Sequence, residues 1–398
     1  MRPTGPTGKV LPVKFALAGY GSRGDVEPFA AVGRELLRRG HDVSLAVTPN
    51  MIGFVESAGL AAGAFGPNPP QNEDFAPTTL QNPIMMMSAF ADHLKAAWVQ
   101  WGTTLLALAD GADLVLTGKS EQGLAANVAR YQGIPSAALH FFPDGAAPRN
   151  DMLVRLATDA AQAQRRELGL PETTGHTALE IQAYDRLCFP GLAAEWAEQG
   201  LRRPCVGSPT LELPADGDAE AMSWIDAGTP PIYFGFGSGV RVTSADTVGA
   251  IAAACAQLGE RALICSGPND FTGVPDFDHV KVVDEVNHAT VFPACRAVVH
   301  HGGAGTTAAG MRAGIPTLIL WLGVDDQQVW AATVERLKVG SGQDFRATTL
   351  GSLVAALGGI LTDDYATRAR AIAALMATPT ESVASTADLL EDSARTGR

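Results

Sequence analysis

Ala297-Val298-Val299-His300-His301-Gly302-Gly303-Ala304-Gly305-Thr306 is an apolar run that breaks into a glycine-rich turn and then into a helical pattern from Thr306 to Arg312. A strand that ends in glycines and opens a helix is the grammar of a parallel α/β sheet. The glycines let backbone approach an anion closely, and the free N–H groups of the helix start, with the dipole behind them, favour a phosphate. That preference is worth about 0.3–1 kcal/mol, and about 2 kcal/mol when partly buried. His301 offers a further donor. The competing reading is a helix entry that is glycine-rich only for tight packing, but two adjacent histidines at the end of a strand are hard to justify by packing alone.

Outward from this turn the pattern repeats. Gly314-Ile315-Pro316 delivers the chain into a strand from Thr317 to Leu320. Upstream, Pro231-Ile232-Tyr233-Phe234-Gly235-Phe236-Gly237-Ser238 reads as a strand and a weaker glycine turn, Asp246 to Leu258 as a helix closed by Gly259, and Ala262 to Cys265 as the next strand. The first half has the same order. Lys14 to Gly19 is a strand, Gly21-Ser22-Arg23-Gly24-Asp25 a turn, Glu27 to Arg39 a helix and Asp42 to Val47 a second strand. Asp113 to Thr117, Gln122 to Tyr131, Gly133-Ile134-Pro135 and Ala137 to Phe142 continue it. Strands alternating with helices in two matching series predict two doubly wound, Rossmann-like α/β domains facing a cleft. Pro, Asp and Gly accumulate from Pro209 to Gly217, so the expected division is a first domain over 1–208, a linker over 209–218, a second domain over 219–380 and a terminal helical segment over 381–398.

Composition narrows the function. A chain of 398 residues exceeds the roughly 250–300 at which a single core stops growing. No apolar run approaches the roughly 20 residues of a membrane-spanning helix, and the start of the chain is read as a frayed leader on a cytoplasmic protein. A net charge of −13 argues against nucleic acid as a partner, which needs basic side chains on the phosphates. The five cysteines, Cys188, Cys205, Cys255, Cys265 and Cys295, are scattered without the spacing of a metal site and read as small buried hydrophobes.

Gly19-Tyr20-Gly21-Ser22-Arg23-Gly24 matches the G-x-G-x-x-G dinucleotide pattern, so an NAD or FAD oxidoreductase is one alternative. Its ribose-binding acid is missing, since the second strand ends Val47-Thr48-Pro49-Asn50. Asp25 at the tip of that turn is either a base facing the cleft or a cap for the following helix. Asp325-Asp326-Gln327-Gln328 combines carboxylate and amide groups suited to adjacent sugar hydroxyls, or caps a helix. Ile84 to Phe90, with its three methionines, together with Trp98 and Trp101, suits a greasy ligand or ordinary core. His140, after a strand of the first half, borders the cleft or is a satisfied buried histidine.

Taken in order, Gly21 to Pro28, Gly235-Phe236-Gly237-Ser238, Glu285-Val286-Asn287-His288, His300 to Thr306 and Asp326-Gln327 make the sequence resemble the GT-B glycosyltransferases of actinobacteria. This inverting family includes the glycopeptide-antibiotic and mycobacterial glycopeptidolipid transferases. The resemblance runs from about Val13 onward, and the N-terminal stretch through Glu56, together with Ala183-Tyr184-Asp185 and Cys188-Phe189-Pro190-Gly191, looks closer to the mycobacterial glycolipid branch. It implies a metal-independent displacement from a dTDP- or UDP-sugar, with no cofactor beyond that co-substrate. Asp25 would take the acceptor's proton. Ser22, Ser238, His301, Gly303, Ala304, Gly305 and Thr306 would hold the donor, Val286 its base, and Asp326 with Gln327 its sugar. Met86, Phe90, Trp98 and His140 would meet an apolar or lipidic acceptor, with peripheral membrane contact at the inner face. The terminal helix would return to the first domain. A natural-product transferase is the nearest alternative, and a nucleotide-sugar binder without chemistry a more distant one.

Overall fold

The computed structural model describes residues 11–69, 83–143, 151–172, 179–237, 245–267, 275–322 and 325–397. The first half builds a six-stranded sheet from β1 (Lys14–Gly19), β2 (Asp42–Val47), β3 (Ala62–Ala64), β4 (Leu114–Gly118), β5 (Ser136–His140) and β6 (Leu179–Gln182), in the order β3-β2-β1-β4-β5-β6. The second half builds another from β7 (Ile232–Gly235), β8 (Ala262–Cys265), β9 (Val280–Val283), β10 (Ala297–His300), β11 (Thr317–Trp321) and β12 (Gly340–Asp344), in the order β12-β11-β10-β7-β8-β9. Read from its opposite edge this is the same order, and the strand pairs of both sheets are parallel. Each sheet reverses direction once, between β1 and β4 and between β7 and β10, which opens a crevice at the carboxyl ends of those strands.

Helices cover both faces, so the central strands are apolar on both sides. Along β1, Phe15 and Leu17 join a core with Val26 and Phe29 of the Arg23–Arg38 helix and Leu390 of the terminal helix. Ala16 and Ala18 point the other way, into a core with Trp98, Trp101, Leu105 and Leu124. Trp98 and Trp101 are therefore packing residues, 5% and 1% exposed, and not part of an open acceptor path. Two large indoles fit there because β1 presents only alanine methyls on that face.

The terminal helix spans Pro379–Thr396 and starts from Thr378, whose hydroxyl accepts from the Glu381 N–H while the Glu381 carboxylate accepts from the Thr378 N–H. It lies on the Arg23–Arg38 helix, where Arg39 pairs with Asp388 and Glu391. The two Gly-Ile-Pro breaks have matching geometry, Gly133 at φ 70° and Gly314 at φ 70°, both left-handed helix ends that glycine adopts without strain.

The leading helix begins at Arg23, not at Glu27. Ser22 is extended and caps it, and the Asp25 carboxylate accepts from the Ser22 N–H at 2.8 Å, which satisfies a helix-start donor and outweighs the breaking tendency of Gly24 and Pro28. Likewise the helix after β10 spans Ala304–Ala313 and starts two residues before Thr306. The five cysteines are free thiols. Among the described residues no helix is long and apolar enough to cross a membrane.

Candidate active site

A cleft of about 800 Å³ lies between the two sheets, lined by the turns that follow their strands. Ser22 to Asp25 come from the end of β1, Phe141 and Phe142 from β5, and Gly237 from β7. Asp284 to Ala289 come from the end of β9, His301 and Gly303 to Thr306 from β10, and Asp326 with Gln327 from the turn beyond β11. Parallel topology brings these segments together, because every crossover returns the chain so that strands end on the same side.

The β10 turn brings a helix start, glycines and two histidines to one wall of the cleft. Gly303 caps the Ala304–Ala313 helix, no acidic residue lies in its first turn, and Gly303 to Thr306 line the cleft, so the helix start and its first N–H groups stand at the cleft wall. His300 is fully buried and its Nδ1 accepts from the Gly302 N–H at 3.0 Å, which fixes the turn. Burial holds His300 well below the usual histidine range. Burial also lowers His301 to about 4, so its imidazole is neutral at physiological pH. Its ring packs against Gly237 and Gly303, where a Cβ would come within 2.5 and 2.8 Å. Its buried Nδ1 has no hydrogen-bond partner among the described residues. A buried polar atom of this kind beside free helix N–H groups gains most from a ligand oxygen.

Beside this turn, Gln327 is buried and its Oε1 accepts from the Leu322 N–H at 2.8 Å, which ties the end of β11 to the next helix and leaves the amide nitrogen to donate. Val286 is 5% exposed in the turn after β9. Next to it His288 stacks on Phe292 and approaches the Tyr233 hydroxyl at 3.4 Å. Burial, with the Arg23 charge, lowers His288 to about 4.

Across the cleft, the Asp25 carboxylate accepts from the Ser22 N–H at 2.8 Å and the Ser22 hydroxyl at 3.0 Å. Burial raises its pKa, and the two Ser22 donors oppose the rise. Asp25 therefore caps the helix and faces the cleft at once. Arg23 pairs with Glu27 at 3.1 Å and with Glu285 of the second domain at 2.9 Å. Burial would raise Glu27, but Arg23, Thr210 and the Leu211 N–H hold it below the usual carboxylate range. Arg312 reaches back to the Ser208 carbonyl at the end of the first domain, 3.3 Å away.

Ten of the residues singled out in the sequence thus line one cleft: Ser22, Asp25, Val286, His301, Gly303, Ala304, Gly305, Thr306, Asp326 and Gln327. Ser238 and the side chains of Met86 and Phe90 lie outside the described residues. Trp98 belongs to the first domain's core, and His140, 1% exposed, bonds Gln122 at 2.8 Å away from the cleft lining. Sequence reasoning gave no role to Arg23, Glu27, Tyr233, Glu285, His288 or Arg312, which all line the cleft. The dinucleotide reading loses its remaining support at the end of β2. Thr48 stands there fully buried and donates its hydroxyl to the Gly21 carbonyl at 2.9 Å, so no acid is placed to hold a ribose.

Comparison with known proteins agrees with this geometry. Residues 15–115 match the glycosyltransferase family 28 N-terminal domain, and residues 262–389 match the C-terminal domain of the erythromycin biosynthesis protein CIII-like family. An uncharacterized glycosyltransferase of Mycobacterium leprae is 56% identical, over 96% of this chain and 97% of its own. The dTDP-epi-vancosaminyltransferase of Amycolatopsis orientalis is 29% identical over 90% of this chain and 93% of its own. Among solved structures, the kitacinnamycin glycotransferase superposes with a TM-score of 0.74 at 20% identity, covering 96% of this chain and 99% of that one. With a glycine-rich helix-opening turn in one Rossmann-like half facing a carboxylate in the other, the chain belongs to the GT-B glycosyltransferases, in the family of the mycobacterial and antibiotic enzymes.

Proposed function

We propose that this glycosyltransferase moves a hexose or deoxyhexose from a dTDP- or UDP-sugar to a hydroxyl of an apolar acceptor, by a metal-independent displacement that inverts the anomeric centre. The observation that carries the reading is the placement of Asp25 and the His301–Thr306 turn on opposite walls of one cleft. The acceptor oxygen attacks the anomeric carbon as its proton passes to Asp25, and the bond to the diphosphate breaks on the opposite face. Negative charge grows on the leaving diphosphate. The Ala304, Gly305 and Thr306 N–H groups and His301 are the donors aimed at it, already oriented before reaction, and such preorganised donors lower a barrier more than flexible ones. A neutral His301 donates a hydrogen bond there without a counter-charge. Asp326 and Gln327 take the sugar hydroxyls.

The nucleotide assignment is supported by the dTDP-sugar named for the Amycolatopsis relative. The apolar acceptor is supported by Phe141, Phe142 and Pro28 in the cleft wall, and the acceptor class we propose is a glycopeptidolipid-type glycolipid. The purified enzyme, given dTDP-, UDP- and GDP-sugars with a lipid acceptor panel in the presence of EDTA, is expected to turn over a dTDP- or UDP-donor. Proton NMR of the product should show the inverted anomer. Retention of configuration, loss of activity in EDTA, or a requirement for small polar acceptors overturns the corresponding part of the assignment.

A further inference from the structure

The linker that leaves the first domain is gripped first by one half and then by the other. Glu27 stands two residues beyond Asp25 on the Arg23–Arg38 helix, with its side chain 15% exposed. Its Oε1 accepts from the Leu211 N–H at 3.0 Å and from the Thr210 hydroxyl. Its Oε2 accepts from Arg23 Nε at 3.1 Å, and the same guanidinium donates to Glu285 of the second domain at 2.9 Å. Both oxygens are therefore committed, one to the linker and one to the arginine that crosses the cleft.

The next linker residue is held by the second domain. The Glu212 carbonyl accepts from Asn287 Nδ2 at 3.1 Å. Asn287 is fixed in turn, because its N–H donates to Asp218 Oδ1 at 2.7 Å and its Oδ1 accepts from the Ala289 N–H at 3.0 Å. At the handover Glu212 has φ 51°, one of two non-glycine residues with positive φ among the described residues. A left-handed residue without the freedom of glycine is kept there by its surroundings, here the bonds on either side of it.

The start of the Arg23–Arg38 helix and the turn after β9 are thus tied at two points. One tie is direct, Arg23 to Glu285, and the other runs from Glu27 through Thr210, Leu211 and Glu212 to Asn287. A single tie leaves a pivot; two fix an angle. Glu27, Thr210, Glu212 and Asn287 all line the cleft. We propose that Glu27 is a positioning residue that holds both ties and so sets the angle at which the Asp25 turn faces the donor half, a role that rests on the reading of Asp25 as the general base. Transfer needs the acceptor hydroxyl, its base and the anomeric carbon in line, and small misplacements are costly.

The test measures kcat, its pH profile and dTDP or UDP affinity in Glu27→Gln, Asn287→Ala and the double variant. An amide cannot accept from both Arg23 and the linker, so Glu27→Gln is expected to lose about ten- to hundredfold in kcat. Calorimetric nucleotide affinity should stay within about twofold of wild type, since the second domain is untouched, and the acid limb of kcat should remain because Asp25 still titrates. The double variant should lose less than the product of the two single losses, because both cut one path. Near-normal kcat in folded Glu27→Gln, with only a lower melting temperature, shows a packing residue and overturns the proposal. So does full multiplication in the double variant. If Glu27→Gln does not fold, Thr210→Val cuts the linker tie from its other end, and an unchanged kcat there overturns the proposal equally. Loss of the acid limb in Glu27→Gln beside a fully active Asp25→Asn makes Glu27 the base and sinks both readings. A slowed Glu27→Gln that keeps the limb, beside a fully active Asp25→Asn, supports the positioning and sinks the base assignment alone.

Discussion

The guanidinium of Arg23, in the first turn of the first domain's leading helix, lies 2.9 Å from the carboxylate of Glu285 in the turn after β9 of the second domain. Two positions beyond Arg23 is Asp25, and one beyond Glu285 is Val286. This ion pair spans the cleft at the point where the Asp25-bearing turn meets the second domain, with Arg23 further held by Glu27 and lying over Phe54.

Glu285 is 63% exposed, and an exposed ion pair contributes only about 0–1 kcal/mol. Glu285→Gln is expected to leave the melting temperature within about 3 °C of wild type. Its effect should appear in the donor KM, raised about two- to fivefold because the closed arrangement of the halves is less favoured. The gap between variant and wild type should narrow in high salt, which screens the pair. A large drop in melting temperature with KM unchanged assigns the pair to folding alone.

His301→Ala removes the buried imidazole whose Nδ1 is unpaired among the described residues. Affinity for dTDP or UDP is expected to fall by about 1–3 kcal/mol in calorimetry, the cost of one hydrogen bond to a charged oxygen. His301→Asn, which keeps a donor, should recover part of it. Equal affinity in all three proteins places the diphosphate elsewhere.

The histidines of the second domain also give stability a direction with pH. His288 and His301 are lowered to about 4, both chiefly by burial, whereas in the unfolded chain histidine titrates near about 6.5. Below that value the unfolded state binds more protons than the folded one, so stability falls as pH drops toward 4. Above it these groups contribute no slope. Calorimetric melting temperatures should decline from pH 6.5 to 4.5, and less steeply in His288→Asn. A melting temperature that is flat over this interval contradicts the neutral, buried state of these rings.

Trp101 is 1% exposed, with Tyr20 at 4.6 Å, Phe65 at 5.7 Å and Trp98 at 6.3 Å between ring centroids. Trp101→Ala is expected to destabilise the protein by about 3–5 kcal/mol through the cavity it leaves. Below its lowered melting temperature the variant should still bind nucleotide normally, since Trp101 sits in the other domain. A stable variant with altered acceptor preference alone would return this indole to the acceptor path.

How much of this was legible in the sequence depends on how each element is specified. The central strands announce themselves through Val, Ile, Leu and Phe, and the turns after them through glycine, so β1, β2, β7, β8, β10 and their order of connection were readable. The edges were not. β3 is Ala62-Gly63-Ala64 and β12 is Gly340-Ser341-Gly342-Gln343-Asp344, strands with no large apolar residue, held in place by pairing to β2 and β11. The turn from His301 to Thr306 was visible because glycine, histidine and helix start are adjacent along the chain. Arg23 with Glu285 was not, since that pair is assembled by tertiary contact between segments far apart in sequence. The tryptophans misled for a related reason: an indole that suits a lipid also suits a core, and only the alanines of β1 decide between them.

Asp25 joins two roles that a single substitution separates. Its carboxylate holds the Ser22 N–H at 2.8 Å, a helix-start contact, while the same side chain lines the cleft that the His301–Thr306 turn also lines. In Asp25→Asn the amide oxygen still accepts from Ser22, so the helix start is retained, but the amide takes no proton from an attacking hydroxyl. General-base catalysis is typically worth about 10²- to 10⁴-fold, and the loss should fall on kcat with donor affinity unchanged. The variant is therefore expected to melt within a few degrees of wild type, to bind dTDP or UDP as tightly, and to turn over at least about two orders of magnitude more slowly. A cap-only Asp25 predicts the reverse: near-normal kcat in the folded Asn variant, and a loss of melting temperature in Asp25→Ala. Near-normal turnover by folded Asp25→Asn would falsify the base assignment, and Glu27, which also lines the cleft, would be the next carboxylate to substitute.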